Sequence, residues 1–274
     1  MKIAQYLIRE GLEKDDKVTI MLPTGQSFLY TYFGTLIAGG IPVPVSQPAG
    51  TNNLDKYLDN LSHIVHDSES KFFVTYDKMK MMIGGVKDKT FEFLFTSDFE
   101  NNPVDPSEYC SVPHKTKDDI ALIQYTSGTT GKPKGVILTH GNLLHNTHGI
   151  GAAMEIKSTD VGISWLPMYH DMGLIGGLFT TIYWGIPLVL MTPESFLFRP
   201  QWWLKNMNDY NASLTVSPNF GYHYCVSRIN EEQMEGINLG NLRLALNGAE
   251  PIDRITLNKF IAKFKKYGLR DDIF

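Results

Sequence analysis

The sequence predicts an α/β protein built from mostly parallel sheets with helices on both faces. Three observations carry that expectation. Short β-rich apolar runs alternate along the chain with segments of helical periodicity. The composition is that of an ordinary globular protein, 43% hydrophobic and 20% charged. The length of 274 residues gives room for one large α/β domain or two smaller ones, with a core that needs neither disulfide nor metal. Strand–helix alternation favours parallel pairing, and it directs ligands to the carboxyl ends of the strands.

Taken in order, Lys17–Leu22, Ile41–Val45, Phe72–Tyr76 and Phe91–Phe95 read as strands. Ile120–Gln124, Gly162–Leu166, Leu188–Met191, Leu214–Val216 and Leu242–Leu246 follow, the last with Leu242, Leu244 and Leu246 alternating onto one face. Between them, Asn53–His66 places Leu54, Tyr57, Leu58, Leu61, Ile64 and Val65 in one helical stripe. Leu257, Phe260, Ile261 and Phe264 repeat that spacing near the end. Glu100–Asp119 holds Asn101, Asn102, Pro103, Pro106 and Pro113 with few apolar residues, and reads as a linker. The expected division is a first α/β subdomain over 1–110 and a second over 111–274.

Several classes of function are disfavoured. A net charge of −4 with dispersed Lys and Arg argues against a nucleic-acid binder. The small cluster Lys263, Lys265 and Lys266 reads as one solvated helix face. Cys110 and Cys225 form no framework and read as free thiols in a reducing compartment. Gln5, Arg9 and Glu10 interrupt the apolar start, so no secretory signal is expected and the cytoplasm is the expected location. The uncharged stretch from Met172 to Pro193 is long enough to cross a bilayer. Gly176, Gly177, Gly185 and Pro187 break it, however, into a buried helix, a turn and a strand, so no transmembrane segment is expected.

The motif that carries chemistry follows the strand Ile120–Gln124. Tyr125-Thr126-Ser127-Gly128-Thr129-Thr130-Gly131-Lys132-Pro133-Lys134-Gly135 is a glycine-rich turn with four hydroxyls and two ammonium groups. Glycines let backbone N–H groups close on an anion, hydroxyls donate to phosphate oxygens, and lysine supplies a point charge. It is not a Walker loop, which needs four residues between its two glycines and a helix starting after the lysine: Gly128 and Gly131 stand too close, and Pro133 follows Lys132.

The segment Thr126–Gly135 resembles the phosphate loop of the adenylate-forming superfamily of acyl-CoA synthetases, luciferases, peptide-synthetase adenylation domains and fatty acyl-AMP ligases. Trp165-Leu166-Pro167-Met168-Tyr169-His170-Asp171-Met172-Gly173-Leu174, Ser217-Pro218-Asn219-Phe220-Gly221-Tyr222 and Asn247-Gly248-Ala249-Glu250-Pro251 are similar to three further segments of that family, in its order. Their wording, with Phe198-Arg199-Pro200 and Trp203-Leu204, resembles fatty acyl-AMP ligases, although the phosphate loop keeps the general form at Gly131 and Lys134 where some of that subgroup depart. The resemblance runs from about Asp16 to the end of the chain.

That resemblance implies the large N-terminal domain of such an enzyme, truncated, with two packed mostly parallel sheets flanked by helices. It implies ATP and Mg2+ as cofactors, a fatty acid as substrate, acyl-AMP and pyrophosphate as products, and an acyl carrier protein or coenzyme A as acceptor. It assigns Thr126, Ser127, Gly128, Thr129, Thr130, Gly131 and Lys134 to the phosphates, and Asn247, Gly248, Ala249 and Glu250 to the adenine side. His170 goes to the acyl carboxylate, and Lys134 and His170 are the expected catalytic residues. No metal-ligating residue is assigned.

Family members continue beyond the position of Phe274 into a magnesium-holding glutamate, a ribose-binding aspartate and a mobile lid domain with a catalytic lysine. Tyr267-Gly268-Leu269-Arg270-Asp271 imitates the first of these motifs but comes too soon after Glu250 and carries no glutamate. The start also lacks several dozen residues common in the family. The expectation is a substrate-binding core that does not turn over alone. The alternatives are an acyl-CoA synthetase fragment and a non-catalytic nucleotide- or acyl-binding relative.

Other residues have plainer readings. His140, His145 and His148 lack a matching carboxylate for a metal site and read as helix-surface histidines. Glu250 suits a helix N-terminus as well as a nucleotide pocket. Trp202, Trp203, Tyr222 and Tyr224 read as core, although an acyl tunnel would use such residues.

Overall fold

The structure, a computed structural model, describes residues 1–48, 53–83, 86, 90–102, 112–126 and 131–274. It divides into two compact units, Met1–Leu143 and Leu144–Phe274.

In the first unit, α1 (Lys2–Arg9), β1 (Lys17–Ile20), α2 (Gln26–Ile37), β2 (Ile41–Pro44), α3 (Leu54–Asp67) and β3 (Ser70–Thr75) alternate. They are followed by α4 (Lys80–Ile83), β4 (Glu92–Phe95) and α5 (Thr96–Asn101). The four strands form one parallel sheet in the order β2-β1-β3-β4. Pro42 and Pro44 are tolerated because β2 is an edge strand, where a missing N–H breaks no central ladder. The α3 stripe expected from periodicity delivers Leu61 and Val65 into a cluster with Met21, Val45 and Phe73. The expected linker is partly helical, since α5 reaches Asn101, and its residues 103–111, with Cys110, lie outside the described residues.

The unit closes with an antiparallel hairpin, β5 (Ile120–Thr126) and β6 (Lys134–Thr139). The sequence reading missed β6. Its Gly135-Val136-Ile137-Leu138 run is β-forming, but it shares residues with the phosphate motif, which read as loop throughout. Helix α6 (His140–Ala153) follows directly and runs across the boundary between the units.

The second unit contains β7 (Gly162–Ser164), a π-helix (Met172–Phe179) that continues as α7 (Thr180–Trp184), β8 (Leu188–Leu190), α8 (Pro193–Phe198) and α9 (Gln201–Asp209). Then come β9 (Leu214–Ser217), α10 (Asn219–Arg228), β10 (Leu244–Asn247) and α11 (Arg254–Phe264). The strands again form one parallel sheet, ordered β10-β9-β7-β8. Each of the nine expected strands is therefore present, and both four-stranded sheets are parallel.

The uncharged stretch from Met172 is the expected helix, turn and strand. Gly185 ends α7 in the left-handed conformation, and among the described residues no helix is long and apolar enough to cross a membrane. Trp203, Tyr222, Phe196, Phe260 and Phe264 are fully buried in the core of this unit, as expected for Trp203 and Tyr222. Trp202 is instead partly exposed, with the Arg199 guanidinium 4.9 Å from its ring centroid.

One buried ion pair ties the strand starts together. Arg243 donates to both carboxylate oxygens of Asp160 and to the carbonyls of Met154 and Glu155 at the end of α6. Burial pushes the Asp160 carboxyl up, but Arg243, the Lys157 N–H and the Ser213 hydroxyl outweigh it and bring its pKa to about 2.

Candidate active site

Each unit holds its own set of expected site residues. In the first, Thr126 ends β5 and Lys134 begins β6, and the two are paired across the hairpin. Ser127, Gly128, Thr129 and Thr130 lie outside the described residues. Gly131 has φ +101°, a conformation that only glycine adopts without strain. The hairpin thus presents the lysine at its mouth, beside the glycine turn.

In the second unit a cavity of about 610 Å³ runs along the sheet, under α6 and the π-helix. It touches Ser164, Val216 and Asn247 toward the carboxyl ends of β7, β9 and β10, and Gly162, Leu188 and Leu214 at strand starts. It therefore extends over the length of these strands, roughly 10 Å at the usual rise per residue. His170, Asp171, Asn247, Gly248 and Ala249 line it at the carboxyl-end side, whereas Met154, Ile156 and Leu188, with Thr181, make the far end mostly apolar. Four of the expected site residues, His170, Asn247, Gly248 and Ala249, are thus brought to one cavity.

The π-helix forms one wall. π-helix is rare and occurs mostly as single turns, so a run of eight residues is unusual, and its placement at the cavity is one associated with functional sites. Its first turn fits against the preceding loop because Gly173 has no side chain: a Cβ there would meet the Pro167 carbonyl oxygen at 2.4 Å.

His170 precedes this helix. Its Nδ1 lies 2.7 Å from Asp171 Oδ1, which also accepts from the Met172 N–H at 2.7 Å and so caps the helix. The carboxylate raises the His170 pKa, and the histidine in turn holds Asp171 below its ordinary value. With Nδ1 committed to Asp171, Nε2 is the ring nitrogen left for a ligand. Asp171 was missed as a site residue, although its adjacency to His170 was the available signal.

The other polar wall is the exit of β10. Asn247 donates to Asn219 Oδ1 at 3.0 Å, and the same oxygen accepts from the Asp253 N–H at 3.2 Å. The Asp253 bond fixes which end of the Asn219 amide faces Asn247, and so leaves Asn247 Oδ1 as a buried acceptor without a partner among the described residues. Tyr222 donates to the Leu246 carbonyl at 2.7 Å. Ala249 has φ +66°, an uncommon conformation for a residue with a side chain, held in the cavity wall. Glu250 is not among the lining residues. Its carboxylate accepts from the Phe220 N–H in the first turn of α10, which gives it a helix N-terminal role.

The plainer readings fare unevenly. His140, His145 and His148 all sit on α6, and His148 stacks on Trp184 with an interplanar angle of 13°. Among the described residues no group of three or more His, Cys, Asp or Glu could hold a metal. The solvated-face reading of the lysine cluster needs correction at Lys263, whose ammonium donates to the Val226 carbonyl at 2.6 Å and to that of Ile229. It closes the end of α10, and burial pulls its pKa down. Lys265 and Lys266 remain exposed and pair with Asp271 and Glu231. Gly268 is a structural turn at φ +86°, packed against Asn238. Cys225 is a free buried thiol whose pKa burial pushes up.

Comparison with known proteins matches residues 1–270 to the family described as AMP-binding enzyme. The chain is 32% identical over 268 residues to the medium-chain-fatty-acid–[acyl-carrier-protein] ligase JamA of Moorena producens, covering 97% of this chain and 45% of that protein. Among solved structures it is similar to a fatty acyl-adenylate ligase from L. pneumophila in complex with acyl adenylate and pyrophosphate, with 35% identity and a TM-score of 0.86. That match covers 100% of this chain and 47% of the other. A further likeness, with a TM-score of 0.92 and 29% identity over 98% of this chain and 48% of the other, comes from structural studies of fatty acyl-adenylate ligases of E. coli and L. pneumophila. The chain spans about half the length of the proteins it matches.

Proposed function

We propose a function on one premise: the chain belongs to the AMP-binding enzyme family. The function is ATP-dependent activation of a fatty acid as acyl-adenylate, with release of pyrophosphate and onward transfer to an acyl carrier protein. The observation that carries this reading is the cavity with a His170–Asp171 pair and a polar β10 exit at one end and mostly apolar walls over the rest. Such a space suits an alkyl chain ending in a carboxylate.

In the reaction a carboxylate oxygen attacks the α-phosphorus of ATP. The bond from that phosphorus to the bridging oxygen breaks, and pyrophosphate leaves with the electron pair. The protein's part is to hold two anions in line and to offset the charge that develops on pyrophosphate. Thr126, Ser127, Gly128, Thr129, Thr130, Gly131 and Lys134 are assigned to the β- and γ-phosphates. His170 Nε2 is assigned to the acyl carboxylate, with Asp171 favouring the protonated ring.

Gly248 and Ala249 are assigned to the face of the adenine. The buried acceptor Asn247 Oδ1 suits the exocyclic amine of that base, which would satisfy an otherwise unpaired group. Glu250 holds this loop on α10 from outside the cavity. Magnesium would arrive with the triphosphate, whose charged oxygens would hold it; among the described residues no group of three or more His, Cys, Asp or Glu could do so.

The test is pyrophosphate–ATP exchange by the intact protein with a series of straight-chain fatty acids. Exchange that depends on the fatty acid is expected. Exchange with none of them, by a folded protein that binds ATP, would move the chain to a non-catalytic binding role.

A further inference from the structure

The hairpin that carries Lys134 is held at its mouth by one face of α3. His63 and Asp67 lie four residues apart and so project from the same side of that helix. His63 Nε2 is 3.0 Å from the carbonyl oxygen of Pro133, the residue immediately before β6. A carbonyl only accepts, so Nε2 must carry the hydrogen. One turn on, Asp67 Oδ2 accepts from the Tyr125 hydroxyl at 2.7 Å, in the penultimate residue of β5. One bond therefore falls on β5 and the other on the residue that leads into β6, next to the rungs where Tyr125 faces Gly135 and Thr126 faces Lys134.

The helix has a firm base for this. Leu61 and Val65 are buried in the core of the first unit, and Ile64 packs on Ile41, Val43 and Ile123. Gly135 completes the arrangement. A Cβ there would stand 3.0 Å from the Tyr125 ring and 3.2 Å from its hydroxyl oxygen, so a side chain at this position would press on the ring that reaches toward Asp67. The Pro133 carbonyl belongs to the peptide unit that joins it to Lys134, so holding that oxygen orients the backbone that enters Lys134.

We propose that His63 and Asp67 are positioning residues for the phosphate-binding hairpin, acting through Pro133 and Tyr125 to fix the direction in which Lys134 is presented. The inference rests on the assignment of Lys134 to the phosphates of ATP. Neither residue touches the nucleotide in this account. Their effect is to order the hairpin mouth before ATP arrives, so that binding does not have to.

The test is steady-state pyrophosphate–ATP exchange by the intact protein, with KM measured separately for ATP and for the fatty acid. His63→Leu keeps bulk but loses the donor and should raise KM for ATP about fivefold, the worth of one net hydrogen bond. KM for the fatty acid and the thermal midpoint should hold. His63→Gln, which restores an N–H donor, should recover the ATP value. Asp67→Ala and Tyr125→Phe should each raise KM for ATP and should not add when combined, since they remove one bond. Lys134→Ala separates the two layers. If it raises KM for ATP while His63→Leu and Asp67→Ala do not, the positioning role falls and the phosphate assignment stands. If Lys134→Ala itself leaves KM for ATP unchanged, the phosphate assignment falls. Equal losses in both KM values that His63→Gln fails to rescue would reduce the clasp to a general structural role.

Discussion

The carboxylate of Glu250 accepts a hydrogen bond from the backbone N–H of Phe220 at 2.6 Å. This joins the loop after β10 to the start of α10, thirty residues earlier in the chain. Glu250→Ala removes a helix N-terminal acceptor and should cost about 1 kcal/mol of stability. It should also raise KM for ATP, by loosening Gly248 and Ala249. Glu250→Gln keeps an acceptor and should show a smaller loss in both the thermal melt and the exchange assay.

Lys134→Ala should weaken adenylation in the intact protein. The loss of one charge-assisted bond corresponds to about 1.5–3 kcal/mol. Pyrophosphate–ATP exchange reads this directly, and an unchanged rate would remove Lys134 from the site.

The His170–Asp171 pair makes a signed prediction about pH. His170 has a raised pKa, so its contribution is complete below the ordinary histidine value and is lost as pH rises through the raised one. Asp171 has a lowered pKa, so its contribution is complete above the ordinary carboxylate value and is lost as pH falls through the lowered one. The pair is therefore strongest between the two. Asp171→Asn keeps an acceptor for the Met172 N–H but removes the charge, and should lower the His170 pKa in an NMR titration. An unmoved titration would deny the coupling.

Asp160 is only 4% exposed at its side chain and takes two bonds from Arg243. Asp160→Asn leaves the guanidinium without its counter-charge and should destabilise the fold by about 3 kcal/mol. The depressed carboxyl also contributes stability that is present above the ordinary carboxylate pKa and lost as pH falls toward about 2. Acid unfolding followed by circular dichroism, run beside the Asn variant, should show the variant losing that part of the pH dependence.

The acceptor is decided by supplying the intact protein with ATP, a fatty acid and either an acyl carrier protein or coenzyme A. Thioester on the carrier protein is expected. Efficient thioester formation with coenzyme A would place the protein in the acyl-CoA synthetase branch.

Much of the fold was legible because burial is written locally. Apolar runs such as Ile41–Val45 and Phe72–Tyr76, and the stripe from Leu54 to Val65, show which residues leave water and with what period. Alternation of the two periods then favours parallel sheets, and both appear. Of the candidate site, the residue order of the phosphate motif, His170 and the Asn247–Glu250 segment was legible as a resemblance, and the fold brings His170, Asn247, Gly248 and Ala249 to one cavity. β6 was not legible, since its β-forming residues overlap a motif whose glycines and proline signal a loop. What the tertiary structure alone decided are the partners. Pro133 lies seventy residues from His63, Tyr125 fifty-eight from Asp67, and Phe220 thirty from Glu250. Hydrogen bonds over such separations depend on strand order and on which helix face meets which strand end, and no local period encodes either. The same reason hid Lys263, which reads as a solvated charge in sequence and closes the end of α10 in the fold.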